Sequence, residues 1–268
     1  MSSLPEYPIG VFDSGVGGLT VVHALRRQLP QENIYYFGDT ARVPYGVKSD
    51  ETIARFAAQI VEFLLEKRVK ILVVACNTMA AVASQVIRAL SPVPVLDVIN
   101  AGARGAAQET RSKRVGVIGT LATVASGAYD QAIARHDPSI RVQSRACPLF
   151  VPLVEEGWLD HVVTRITAEE YLRPLCRDGI DTLVLGCTHY PLLRPLLRQV
   201  IGGDVHLVDS ADAIAAEAAT LLKAGGLANP QIGVPEYRFF VTDVPQRFQE
   251  VGERFLGQVL DNVHVVKI

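Results

Sequence analysis

Ile71-Leu72-Val73-Val74-Ala75-Cys76-Asn77-Thr78 and Thr182-Leu183-Val184-Leu185-Gly186-Cys187-Thr188-His189 carry one pattern twice. Each is a run of leucine and β-branched residues that reads as a buried strand, ended by a small residue, a cysteine and polar residues. In an open α/β sheet, ligands bind beyond the carboxyl ends of the strands. Two strands therefore deliver two thiols to ligand-binding positions, which suggests chemistry done twice, from two sides.

Around these segments, strand and helix patterns alternate, the signal for βαβ units and a mainly parallel sheet. Ile9 to Phe12 leads through a Gly-rich turn into a helix from Leu19 to Gln28, and Ile34 to Phe37 is a second strand. Ser49 or Asp50 caps a long amphipathic helix carrying Ile53, Phe56, Ile60, Phe63 and Leu64 on one face. Asn77 is placed to cap a helix running through Val86 to Leu90, closed by Pro92 and Pro94. From Arg114 the plan restarts: Ile9 corresponds to Val115 at an offset of 106 residues, Pro44 to Pro152 at 108, and Cys76 to Cys187 at 111. The later strands, Tyr237 to Val241 and Val263 to Val266, have no third cysteine motif and return to the first half. The expected fold is α/β, with two similar domains of mainly parallel sheet flanked by helices, related by a pseudo-twofold axis, and an active site in the cleft between them. The crossings fall near Asn100 and Asp209: residues 1–99 with 209–268 form the first domain and 100–208 the second.

The chain has 268 residues, 49% hydrophobic and 20% charged, an ordinary globular composition with room for two cores. A net charge of -2 leaves no basic surplus for a phosphate backbone, so nucleic acid is not an expected partner. No apolar run approaches the roughly 18 residues needed to cross a bilayer, and the first residues lack the pattern of a signal peptide. Four cysteines without a C-x-x-C pair point to reduced thiols and a cytoplasmic protein.

Asp13-Ser14-Gly15-Val16-Gly17-Gly18 follows the first strand but matches neither nucleotide-binding glycine pattern. Asp13 either caps the following helix or faces a ligand. Cys76 and Cys187 are either small buried hydrophobes or reactive thiols; Asn77-Thr78 and Thr188-His189 behind them are poor core filler, and a helix start lowers a thiol pKa. Cys147 and Cys176 lack such surroundings and read as packing residues. His189 either exchanges a proton with Cys187 or fixes its loop. Glu155 and Glu156 read as surface acids by default, and Asp39-Thr40 as a polar turn in which backbone groups matter more than side chains. No further Cys or His stands at metal-ligand spacing around Cys187 and His189.

Phe12-Asp13-Ser14-Gly15-Val16-Gly17-Gly18-Leu19, Tyr36-Phe37-Gly38-Asp39 with Pro44-Tyr45-Gly46, Ala75-Cys76-Asn77-Thr78, and Leu185-Gly186-Cys187-Thr188-His189-Tyr190-Pro191 resemble, in that order, the glutamate racemases of the aspartate/glutamate racemase superfamily. The resemblance implies a cofactor-independent isomerase that interconverts L- and D-glutamate and supplies the D-isomer for peptidoglycan. It implies that Cys76 acts on the α-hydrogen of the D-isomer and Cys187 on that of the L-isomer. Asp13 would assist Cys76, and His189 with Glu155 would assist Cys187. Asp13, Ser14, Tyr45, Gly46, Asn77, Thr78, Thr120, Thr188 and His189 would hold the substrate. Glutamate is the implied small-molecule partner, with neither nucleic acid nor membrane required and a homodimer compatible with the family. Met79, where a smaller residue is expected, departs from the pattern and bears on packing or pocket size.

Racemisation removes a proton from one face of a carbon and delivers one to the other, which two opposed groups do without turning the substrate over. No lysine lies in these motifs to anchor a pyridoxal Schiff base. The carbanion must then be stabilised by oriented amides and hydroxyls in a dry cleft. Three other activities would use parts of the same pattern: a racemase for aspartate or another amino acid, a cysteine hydrolase with Cys187 and His189 that leaves Cys76 unexplained, and a non-catalytic amino-acid-binding protein.

Overall fold

Continuous apolar runs become strands buried on both faces, as parallel sheets between helices require. A computed structural model of the protein describes residues 4–230 and 233–268. Its strands are β1 (Ile9–Asp13), β2 (Ile34–Gly38), β3 (Ile71–Val74), β4 (Val95–Asp97), β5 (Arg114–Gly119), β6 (Arg141–Ala146), β7 (Thr182–Gly186), β8 (His206–Asp209), β9 (Tyr237–Val241) and β10 (Val263–Val265). They form one six-stranded sheet, β10-β9-β2-β1-β3-β4, and one four-stranded sheet, β6-β5-β7-β8. Every pairing between described strands is parallel.

The internal repeat holds at the level of register. Ile9 pairs with Ile34 on one side and Ile71 on the other; Val115 pairs with Val142 and Thr182 in the same way. Leu72 faces Val95 as Leu183 faces Leu207. The order β2-β1-β3-β4 is thus repeated by β6-β5-β7-β8. Even the close contact under the central strand recurs. A Cβ on Gly10 would meet a Val69 methyl carbon at 2.9 Å, and one on Gly116 would meet an Ile180 methyl carbon at 2.7 Å.

The helices are α1 (Leu19–Gln28), α2 (Asp50–Glu66), α3 (Asn77–Val82), α4 (Ser84–Leu90), α5 (Val98–Glu109), α6 (Leu121–Ala125), α7 (Ala128–His136), α8 (Phe150–Glu155), α9 (Val162–Arg177), α10 (Arg194–Ile201), α11 (Ser210–Ala224) and α12 (Pro245–Leu256). Ser49 caps α2, its side chain accepting the Thr52 N–H, and Ile53, Ala57, Ile60, Val61 and Leu64 face the core; Phe56 and Phe63 are only partly buried. The helix expected from Asn77 to Leu90 is two. Ala83 leaves helical geometry at φ -114°, and the cap is Cys76, whose extended backbone precedes the first turn and whose Sγ accepts the Met79 N–H at 3.5 Å. Pro152, the counterpart of Pro44, lies in α8, where a proline in the first turn removes no intrahelical bond. None of the described helices is long and apolar enough to cross a membrane.

Candidate active site

The carboxyl ends of β1 and β3 in one sheet and of β5 and β7 in the other border a cavity of about 450 Å³. All twelve residues singled out in the sequence line it: Asp13, Ser14, Tyr45, Gly46, Cys76, Asn77 and Thr78 from one half, and Thr120, Glu155, Cys187, Thr188 and His189 from the other. Met79 is not among the lining residues. It is fully buried in the core, so its size bears on packing beneath α3.

In the first half, Asp13 ends β1 with its Oδ2 accepting the Gly15 and Gly18 N–H groups at 3.2 and 3.0 Å. That oxygen ties down the turn before α1, whose N-cap is Gly18 with no side-chain cap, while Oδ1 is buried without a partner among the described residues. The Cys76 thiol donates to Ser14 Oγ at 3.6 Å. Burial, then the nearby Asp13 carboxylate, push the Cys76 thiol up to about 12, so it rests protonated. Tyr45 and Gly46 form a tight 3₁₀ turn. That turn is anchored by Asp39, which is fully buried and accepts from the Tyr45 hydroxyl, from Arg42 Nε at 2.6 Å and from Thr242 Oγ1 at 2.9 Å. The expectation that backbone groups dominate the Asp39 turn is therefore corrected, since a carboxylate taken out of water must collect such donors.

In the second half, Cys187, Thr188 and His189 follow β7. The Cys187 Sγ lies 3.9 Å from His189 Nδ1, and His189 Nε2 lies 2.9 Å from Glu155 Oε1 at the end of α8. Burial works against a charged imidazole here, but the hydrogen bonds to Cys187 and Glu155 outweigh it and raise His189 to about 10. Burial likewise opposes charge on Glu155, and its bond to His189 wins, lowering the carboxyl. A positive charge thus stands beside the Cys187 sulfur. Glu155 is no free surface acid; Glu156 is exposed and pairs with Arg247. Cys147 packs in the core as expected, whereas Cys176 is exposed because its position on α9 faces away from the sheet.

Hydroxyls join the halves across the cleft. Thr78 Oγ1 and Thr120 Oγ1 are 3.0 Å apart, with Thr123 Oγ1 2.9 Å from Thr120. The residue after each cysteine also takes a hydrogen bond from the opposite half. Tyr129 donates to Asn77 Oδ1 at 2.7 Å, and Thr20 donates to the Thr188 carbonyl at 3.3 Å. Among the described lining residues there is no Lys or Arg; the donors on the wall are hydroxyl, amide and backbone groups together with His189. Asn77 Nδ2 is the complement of Asp13 Oδ1, a buried donor without a partner among the described residues.

Residues 9–218 match the family model described as Asp/Glu/Hydantoin racemase. The chain belongs to that racemase family. It is therefore a racemase, an isomerase. It is 66% identical over 265 residues to the glutamate racemase of Syntrophus aciditrophicus (strain SB), covering 98% of both chains. Among solved structures it is similar to glutamate racemase from Francisella tularensis in complex with D-glutamate, with a TM-score of 0.93 and 42% identity over 98% of each chain. A glutamate racemase isoform from Bacillus anthracis aligns with a TM-score of 0.95 at 40% identity, again over 98% of each chain. Asp39 and Tyr129 are the residues of this racemase that sequence reasoning passed over as participants. The sequence signals for Asp39 were its place at a strand end and in the Tyr36-Phe37-Gly38-Asp39 motif, neither of which gives its side chain a task, and Tyr129 gave none, as one aromatic on an amphipathic helix reads as core.

Proposed function

We propose that this racemase interconverts L- and D-glutamate by proton transfer between two opposed cysteines and that it supplies D-glutamate for peptidoglycan. The observation that carries the reading is the pair of buried thiols, Cys76 and Cys187, brought to one cavity by equivalent strands of two repeated halves. The partnerless Asp13 Oδ1 and Asn77 Nδ2 supply an acceptor for an ammonium and a donor for a carboxylate, the two ends of an α-amino acid. Glutamate as the amino acid rests on the named relatives.

In the L-to-D direction the Cys187 thiolate takes the α-proton from one face. The positive charge on His189, held by Glu155, compensates the charge at that sulfur. Cys76, resting as the thiol, donates its proton to the opposite face and becomes the thiolate. The reverse direction exchanges the roles. The negative charge that develops on the substrate carboxylate is met by Ser14, Thr78, Thr120 and Thr188 hydroxyls and the Asn77 amide, fixed before the reaction begins. Each of these steps uses groups of the chain itself, and reduced thiols suit a cytoplasmic enzyme. Time-resolved circular dichroism of L-glutamate with the purified protein and no added cofactor tests the proposal. Decay of the signal to zero is expected; an unchanged signal defeats it.

A further inference from the structure

Tyr129 touches both cysteine motifs, and the mechanism above leaves it without a role. It is a fully buried residue of α7, in the half that carries Cys187. Its ring packs against the residue before Cys187: a Cβ built on Gly186 would lie 3.0 Å from Tyr129 Cε2. Its hydroxyl reaches into the other half and donates to Asn77 Oδ1, the residue after Cys76, at 2.7 Å. Behind the phenol stand Gly102 on α5, where a Cβ would come within 3.2 Å of the hydroxyl oxygen, and Ser210, whose Cβ would lie 3.3 Å from that same Cβ. The phenol is thus hemmed in by two close backbone approaches, with its hydroxyl on Asn77.

The consequence falls on Asn77. A primary amide has an acceptor end and a donor end, and a free one presents either by turning over. Here the acceptor end is occupied by Tyr129, which leaves Nδ2 buried and partnerless among the described residues, on a residue that lines the cavity. A carboxylate accepts from that group and an ammonium does not.

We propose that Tyr129 is a positioning residue for the reaction, a phenol wedged behind Cys187 that locks the Asn77 amide beside Cys76 with its NH₂ aimed at the substrate carboxylate. The proposal rests on the racemase reading of the cavity. It makes the separation of the two cysteine motifs and the polarity of the donor between them depend on one side chain. The alternative is that Tyr129 merely fills the core between α5, α7 and β7.

A double-mutant cycle on glutamate racemisation separates the two. Tyr129→Phe keeps the ring and its packing and removes only the hydroxyl. We expect kcat/KM to fall ~10-fold, the scale of one buried hydrogen bond left unmade, with a melting temperature close to that of wild type. In the Asn77→Ala background the same change is expected to alter kcat/KM less than twofold, because the group Tyr129 acts through is gone. Ser210→Ala, which leaves the ring untouched, should give a smaller loss that also vanishes with Asn77→Ala; this arm carries the test should Tyr129→Phe not fold. Where turnover is too slow, the Kd for D-glutamate replaces kcat/KM. Losses from Tyr129→Phe that add to those of Asn77→Ala, or no loss at all, overturn the proposal. A wild-type protein inactive on glutamate defeats instead the reading on which it rests.

Discussion

His189 and Glu155 come from different elements, the turn after β7 and the end of α8, and meet with Nε2 and Oε1 2.9 Å apart. The bond fixes which face of the imidazole is turned to Cys187. It also sets a pH window. His189 is raised from 6.5 to about 10 in the folded protein, so its contribution to stability is full below 6.5 and lost as pH rises through about 10. Glu155 is lowered from 4.5, so its contribution is present above 4.5 and lost as pH falls through its lower folded value. Glu155→Gln removes the negative partner, and His189 should titrate at lower pH. The alkaline limb of the kcat profile is then expected to move down by about one unit or more. An unmoved limb counts against the pair as the support of Cys187.

Gly17 lies across the cleft from the same loop, and its lack of a side chain is what lets the halves approach. A Cβ there would stand 2.2 Å from Thr188 Oγ1 and 2.5 Å from His189 Nδ1. Both belong to buried side chains. Gly17→Ala should cost about 1–3 kcal/mol of stability through overpacking and reduce kcat more than it raises KM, because it displaces the imidazole. Thermal melts with steady-state kinetics read both effects. Wild-type kinetics would mean that the loop adapts.

Far from the cavity, the fully buried Lys70 precedes β3 and donates to Glu32 and to the carbonyls of Pro5 and Leu227, at 2.6 and 2.8 Å. Glu32 in turn accepts the Asn229 N–H at 2.8 Å. The cluster ties the segment after α11 to the amino-terminal edge of the large sheet. Lys70→Ala strands a buried carboxylate and should destabilise the fold by about 3–5 kcal/mol in urea. Below its melting temperature the variant should keep kcat within about twofold, since no atom of the cluster borders the cavity. A large kinetic defect in folded protein would contradict this separation of stability from chemistry.

In the proposed mechanism the two cysteines divide the chemistry by face, which sets them apart from a nucleophile and its bystander. Cys76→Ser and Cys187→Ser should each lower racemisation by about 10²–10⁴-fold, the range of a lost general acid or base. A hydrolase built on Cys187 and His189 would tolerate Cys76→Ser. Hydrolytic activity retained in that variant would favour the hydrolase.

Much of this was legible in the sequence because buried parallel strands are continuous apolar runs and sit at fixed places relative to the cysteines. The register confirms the repeat: Ile9, Ile34 and Ile71 stand to one another as Val115, Val142 and Thr182 do. What escaped is tertiary. Cys76 caps α3, and the sequence points instead to Asn77 because a thiol is outside the usual capping repertoire. The edge strand β6 is only partly buried and has no apolar run to announce all of its length. Asp39 looked like a turn residue because nothing local shows that Thr242, some 200 residues on, closes over it. Tyr129 becomes conspicuous only when Gly186 and Asn77 are seen on either side of it.

The central claim is that two opposed thiols hold different protons. Running the reaction from L-glutamate in deuterated water, and measuring α-deuterium in both isomers before equilibrium, tests it most directly. The account predicts that newly formed D-glutamate carries solvent deuterium while the remaining L-glutamate is still protiated. Deuterium appearing equally in both isomers from the start would contradict it, because one base would then be serving both faces.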